Sequence, residues 1–393
     1  MPWKVESVMD QRVEFVLRAQ KQQVTISQLC REYGISRPTG YLWLERYKEA
    51  GSLTALSEHT RRPLNSPFRT SAELTAKVLS LRDEKGWGAR KLHTVLARTG
   101  VELPVRTIHR ILRREGRVRQ ADRRRQATGR FARRQCNELW QMDFKGEYRV
   151  REGKCYPLTL LDDCSRYLVG LWALESTKAG GVHEVLRARF REQGVPQALL
   201  MDHGTPWYST TNEHGLTWLS VWLIKQQVKL YYSGVRHPQT QGKVERLHRS
   251  LNERTRHGGW PGTLSQWRGW AEEFRREYNE ERPHEAIGMR TPSEVYAREN
   301  LRPYEEQVRE WVYTAGVVKR LSTQGQLAYQ GRHYFVCEAL GGERVRVDEL
   351  DGLLVVTYRQ QTIREIELRT GRSRAVRVRP ARSNKEAGKT TQV

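Results

Sequence analysis

At 393 residues the chain is too long for one hydrophobic core and predicts more than one domain. Its 69 Lys and Arg against 45 Asp and Glu leave a net charge of +24, which points to a polyanionic partner. Five scattered cysteines without a C-x-x-C pair exclude a disulfide framework and a Cys-rich zinc site. No apolar run is long enough to span a membrane, and MPWKVESVMDQ lacks a signal-peptide layout. A cytoplasmic location follows as the expectation.

The first stretch, to about residue 48, reads as helices. Thr25 or Ser27 can cap a helix carrying Leu29, Cys30 and Tyr33. Gly34 supplies the turn, and Ser36 caps a following helix with Tyr41, Leu42, Leu44 and Tyr47. This is a helix-turn-helix spacing, with Arg37 and Thr39 near the start of a recognition helix, where DNA contacts are made. Many helical hairpins share the spacing without touching DNA; the charge of the chain favours the DNA-binding reading. Residues 57–71, rich in Pro, Ser and Arg, form a linker. Residues 72–116 hold three more helices, marked by Leu74 and Val78, by Leu92 and Leu96, and by Ile108, Ile111 and Leu112. The last turns Arg106, His109, Arg110 and Arg113 outward, as a phosphate-reading helix would. From Arg113 to Arg134 ten Arg face only Glu115 and Asp122, so 117–134 reads as a basic linker.

Short apolar runs then alternate with helical patterns. Strands are expected at 140–144, 148–150, 156–162, 167–173, 198–202 and 228–232. Helices are expected at 181–193, 216–227, 243–256 and 264–278. The pattern is that of a mixed α/β layer. Asp143 and Asp202 each end an apolar run, and Glu245 opens a basic helix. A lone helical Glu is most often solvated. Two strand-end carboxylates with a third on a helix are what a hard cation such as Mg²⁺ needs. Asp162 and Asp163 also tempt as ligands, but read better as turn residues between two strands. Residues 311–358 alternate apolar and polar with Gly at the turns, and predict a small five-stranded β-barrel. The basic stretch after Tyr358 reads as a partly disordered tail.

Four boxes carry a resemblance. They are WQMDFKG at 140–146, DHGTPW at 202–207, HPQTQGKVERLHRSL at 237–251 and YNEERPHEAIGMRTPSEVY at 278–296. In this order the sequence resembles the bacterial insertion-sequence transposases of the DDE type and their retroviral integrase relatives. It departs in having His203 where many relatives carry Asn, and in a longer Asp202–Glu245 spacing, with the surplus assigned to 209–215.

The resemblance implies a ribonuclease H-like catalytic core, with helix-turn-helix domains before it and the small β-barrel after it. The domains are then 1–56, 72–116, a core at 135–300, a barrel at 301–358 and a basic tail at 359–393. Asp143, Asp202 and Glu245 are the implied catalytic and metal-holding residues, for two Mg²⁺ or Mn²⁺ ions. Lys243 and Arg246 join Arg37, Thr39, Arg106, His109 and Arg110 as expected DNA contacts. The implied reaction is hydrolysis at the ends of a mobile element and transfer of the 3′-OH into target DNA. A homo-oligomer assembled on DNA in the bacterial nucleoid is the expected form. The alternative is a catalytically inactive DNA-binding regulator or target-selection protein on the same fold.

Overall fold

The computed structural model describes residues 7–58, 69–118, 132–209, 215–233 and 242–376. Most of both expected linkers, the turn before Lys243, part of the 209–215 insertion and the end of the tail lie outside the described residues. The chain divides into two compact units, 1–71 and 72–393.

The first unit holds α1 (Val8–Gln20), α2 (Ile26–Glu32) and α3 (Arg37–Ala50). Each helix opens where the sequence offers a side-chain cap. Ser7 and Thr25 form reciprocal capping boxes with Asp10 and Gln28, and Ser36 accepts from the Thr39 N–H. Phe15, Val16, Leu29, Cys30 and Leu56 make the core. Gly40 lies at the crossing of the helices. A Cβ there would come within 2.5 Å of the Cys30 sulfur and 3.0 Å of the Phe15 ring.

The second unit opens with α4 (Ala72–Lys85), α5 (Ala89–Arg98) and α6 (Val105–Arg114), packed around Val78, Leu92, Leu96, Ile108 and Ile111. A six-stranded sheet follows: β1 (Trp140–Phe144), β2 (Tyr148–Val150), β3 (Gly153–Asp162), β4 (Leu168–Leu174), β5 (Ala198–Met201) and β6 (Lys229–Tyr232). β3 pairs antiparallel with β1, β2 and β4, while β1, β5 and β6 run parallel, with β6 at one edge. The helices are α7 (Ala179–Gln193), α8 (Trp218–Lys225), α9 (Gly242–Gly258), α10 (Leu264–Arg276) and the short α11 (Pro292–Val295).

Period-2 alternation sends successive strand residues to opposite faces of the sheet. Trp140, Met142, Leu158 and Leu160 meet Val182, Leu186 and Phe190 of α7 and Leu219 and Leu223 of α8. Leu161, Leu168 and Leu171 meet Val244, Leu247 and Leu251 of α9 and Ala271 and Phe274 of α10.

The α4–α6 helices lean on this layer. Lys85 pairs with Glu281 (2.9 Å) and Glu277 (3.6 Å), and Arg98 pairs with Glu294 (3.0 Å). Lys91 on α5 is pushed down to about 7, first by burial and then by Arg282, while Glu253 on α9 and Glu285 pull the other way.

The C-terminal part corrects two expectations. Its strands are β7 (Val317–Arg320), β8 (Gln326–Tyr329), β9 (Arg332–Phe335), β10 (Arg344–Leu350), β11 (Leu353–Tyr358), β12 (Gln361–Glu367) and β13 (Ser373–Ala375). They make an open five-stranded sheet, ordered β13-β12-β11-β10-β7, with β8–β9 as a separate hairpin, not a closed barrel. A barrel closes to bury its own interior. Here Leu327, Tyr334, Val345, Leu354, Val356 and Ile366 join the same apolar cluster as Leu219 and Leu230 of the core, so the covering comes from neighbouring elements. The second correction concerns the tail: residues 361–375 carry β12 and β13. Ile363 and Ile366 are buried between the charges that made the stretch read as disordered.

This sheet also covers the bare edge of the first one. The Gln361 side chain accepts from the Leu230 N–H (3.0 Å) and donates to the Leu230 carbonyl (3.4 Å), so a single amide satisfies one residue of β6. Arg359 donates to the Lys225 carbonyl (3.0 Å) beside it.

Candidate active site

β1 ends at Phe144, which leaves Asp143 at the rim of the sheet with its side chain 22% exposed. β5 ends at Met201, and Asp202 follows at the same rim because β1 and β5 are parallel neighbours. Glu245 lies exposed in the first turn of α9, which packs under β1 and β4.

The Asp143 carboxyl is pushed up to about 7. Burial is the main cause, and the negative charges of Asp202 and Glu245 add to it. The three acids therefore share one electrostatic environment, although they come from three elements. Among the described residues, no three His, Cys, Asp or Glu side chains stand close enough together to hold a metal ion. Like charges repel, and Glu245 lies exposed on α9.

The DHGTPW box has a physical reading. The Gly204 N–H and the Trp207 indole N–H both donate to Asp202 Oδ1, at 2.9 and 2.8 Å. A Cβ on residue 204 would sit 3.0 Å from both carboxylate oxygens and would press the carboxylate out of its place. Trp207 is 1% exposed and stacks on Phe144 at 5.4 Å between ring centroids, 12° from parallel. One indole thus joins the loop carrying Asp202 to the strand carrying Asp143.

A second support comes from α9. The Thr159 hydroxyl donates to the Asp143 carbonyl (2.9 Å), and His248 Nε2 lies 2.9 Å from the same hydroxyl. Threonine has one proton to give, so Nε2 of His248 carries the ring proton. Burial holds His248 down at about 3 and hence neutral. Its Nδ1 lone pair faces Asp143 Oδ2 at 3.9 Å. Two acceptors facing each other favour a proton or a cation between them.

Asp162 and Asp163 do sit in the turn between β3 and β4, and both are fully buried. Asp162 accepts from Asn137 N–H (2.8 Å) and from Ser165 N–H and hydroxyl (2.8 and 2.6 Å). Asp163 accepts from Arg133 N–H (2.6 Å) and Gln141 Nε2 (2.7 Å), and is ion-paired to Lys243. Lys243 is therefore turned inward, with its side chain 14% exposed.

Of the other expected DNA contacts, Arg37, Arg106, His109, Arg110 and Arg246 are exposed. Thr39 is half-buried, with its hydroxyl 2.8 Å from that of the capping Ser36. Trp207, Thr159, His248 and Asp163 escaped the sequence reading as supports of the site. Trp207 and His248 lay inside quoted boxes and could have been found there; Thr159 sits in an apolar strand and gives no signal.

The class that this architecture resembles, a mixed sheet with carboxylates at its rim behind two helical domains, is the integrase core. Two family models described as integrase core domains match residues 133–238 and 226–292, and two homeodomain-like models match 7–57 and 39–112. The chain is 25% identical over 258 residues to an uncharacterized 31.7 kDa protein of insertion element IS407 from Burkholderia multivorans, covering 64% of this chain and 90% of that one. It is 23% identical over 261 residues to a 39.2 kDa protein of insertion element IS476 from Xanthomonas euvesicatoria, covering 64% and 72%. Among solved structures, the HTLV-2 integrase catalytic core with magnesium is similar at 14% identity and a TM-score of 0.31, covering 41% of this chain and 97% of that one. A simian T-cell lymphotropic virus intasome chain matches at 13% identity and a TM-score of 0.37, over 77% and 100%. The chain carries an integrase core domain behind homeodomain-like domains, and its resemblance to insertion-sequence transposases stands. Among the described residues, no helix is long and apolar enough to cross a membrane.

Proposed function

We propose that this chain is a transposase that binds the ends of a mobile DNA element, cleaves them by metal-dependent phosphodiester hydrolysis and joins the 3′-OH to target DNA. The observation that carries the reading is Asp143 at the rim of the sheet: its carboxyl is raised first by burial and then by the charges of two other acids, each supplied by a different element. Such a site calls for a cation, and the three acids offer only oxygen, which suits Mg²⁺ or Mn²⁺.

In this reading Asp143, Asp202 and Glu245 are the catalytic residues and would hold two ions. Bound there, the ions supply Lewis acidity that activates a water or a DNA 3′-OH and stabilises the leaving oxygen. Trp207 and Gly204 keep the Asp202 carboxylate in one orientation. Neutral His248 adds no positive charge that would compete for Asp143. The exposed bases Arg106, His109 and Arg110 on α6, with Arg37 on α3 and Arg246 on α9, bind phosphates and position the DNA end. Residues 1–56 and 72–116 then act as two end-reading domains, and the active form is a homo-oligomer on nucleoid DNA.

The test is incubation of the purified chain with a labelled duplex carrying the element end, a target duplex and Mg²⁺. Joined product is expected, and it should vanish with excess EDTA. The Glu245→Gln chain should bind the end but neither cut nor join, with cleavage down by about a thousandfold or more. Cleavage that survives EDTA, or an active Glu245→Gln chain, would overturn the reading. End binding without any cleavage by the parent chain would favour the inactive regulator.

A further inference from the structure

Asp163 joins three segments of the chain. It takes the Arg133 N–H from the approach to β1, the Gln141 amide from β1 itself, and the Lys243 ammonium from the first turn of α9. Lys243 Nζ also donates to the Asp163 backbone carbonyl at 3.0 Å, so the ammonium is gripped twice. The carboxylate is fully buried and the lysine nearly so.

A buried ion pair is weak evidence for stability, because desolvation of the two charges offsets most of their attraction. Its attested use is to specify register. The apolar stripe of Val244, Leu247 and Leu251 holds α9 against the sheet, but apolar contact is non-directional and sets rotation about the helix axis loosely. Two directional contacts at one ammonium set it closely. Lys243 and Glu245 are two residues apart, roughly 200° around the helix. Holding Lys243 on Asp163 therefore also fixes where Glu245 stands: it lies exposed, and its charge reaches Asp143.

We propose that Asp163 is a positioning residue for Glu245: through Lys243 it fixes the rotation of the first turn of α9. The proposal rests on the role given to Glu245 above. Asp163 touches neither metal nor DNA in this scheme.

The test uses the full chain as Asp163→Asn, Lys243→Met, Lys243→Arg and the double variant Asp163→Asn/Lys243→Met. Each neutralising single variant strands one buried charge and should lower the melting temperature. The double variant strands none and should melt close to the parent. Amide hydrogen exchange over residues 242–247 should nevertheless be faster in it by about tenfold. The Mn²⁺ concentration for half-maximal end cleavage should rise by about tenfold or more, the usual penalty for losing a group that orients a ligand. Lys243→Arg keeps a charge opposite Asp163 and should lose less than Lys243→Met in both readouts.

A double variant with the parent's exchange and Mn²⁺ requirement would reduce the pair to a structural feature and sink the proposal. Should the double variant not fold, Lys243→Arg against Lys243→Met decides, and equal losses in both count against it. Failure of the functional reading looks different: the parent's cleavage would persist in Asp143→Asn, while hydrogen exchange would still report whether Asp163 holds α9.

Discussion

Trp207 does two jobs with one ring, and substitution can separate them. Trp207→Phe keeps an aromatic face against Phe144 and removes the indole N–H from Asp202. A hydrogen bond to a charged group is worth about 1.5–3 kcal/mol, so end cleavage should fall by roughly tenfold to a hundredfold with the fold intact. Trp207→Ala should also unfold at lower temperature, because it opens a cavity beside β1. Steady-state cleavage and thermal melts of the two variants check this. At this scale the sequence told more about acids than about what holds them. The strand-end positions of Asp143 and Asp202 were legible because a carboxylate closing an apolar run is out of place in a buried strand. Asp163 was not, because a turn residue and a buried anchor look alike until the burial of the turn is known. Lys243, read as a phosphate contact, spends its charge on Asp163 in the folded chain.

Helices and strands were placed well where caps and period agreed, as in α2 and α3, whose Thr25 and Ser36 caps stand where the sequence put them. Gly40 is the point of contact between the helices. Gly40→Ala should cost about 1–3 kcal/mol, since the sulfur and ring it meets are both packed. A thermal melt of a 1–71 fragment measures this directly, as that stretch forms its own compact unit.

On α6, Arg106→Ala and Arg110→Ala should each weaken end binding. Each should also reduce the slope of log affinity against log salt by about one, if each removes one phosphate contact. An unchanged slope would take that helix away from DNA.

The packing of the α4–α6 helices on the α/β layer makes a further prediction. Lys91 titrates near 7 when folded, facing Arg282, Arg246, Glu253 and Glu285, and near 10.5 when unfolded. Between these values the unfolded chain binds the extra proton, so stability contributed at Lys91 is lacking at pH 7 and gained as pH rises. Lys91→Met should flatten that rise relative to the parent in denaturant melts at pH 7 and pH 9.

At the scale of the whole molecule, alternation announced strands near the C-terminus but said nothing about closure. Closure depends on what covers the inner face, and here the cover is supplied by residues far away in sequence. The catalytic layer and the C-terminal sheet therefore share one core. A chain ending at residue 310 should lose both, because it strips Leu327, Val345, Val356 and Ile366 from an apolar cluster that includes Leu219 and Leu230. Soluble yield and sedimentation of that fragment give the answer; a monomeric, well-folded 72–310 fragment would show that the layer stands alone.

The amide of Gln361 on the edge of β6 also sets a clock for synthesis. Leu230 leaves the ribosome 131 residues before the side chain that will satisfy it. At translation rates of about 5–20 residues per second, the nascent sheet waits on the order of ten seconds with that edge bare. An unpaired edge is a template for any passing strand. Two copies translated side by side on one message are thus exposed to cross-pairing during that interval, and the hazard ends only when nearly the whole chain has emerged.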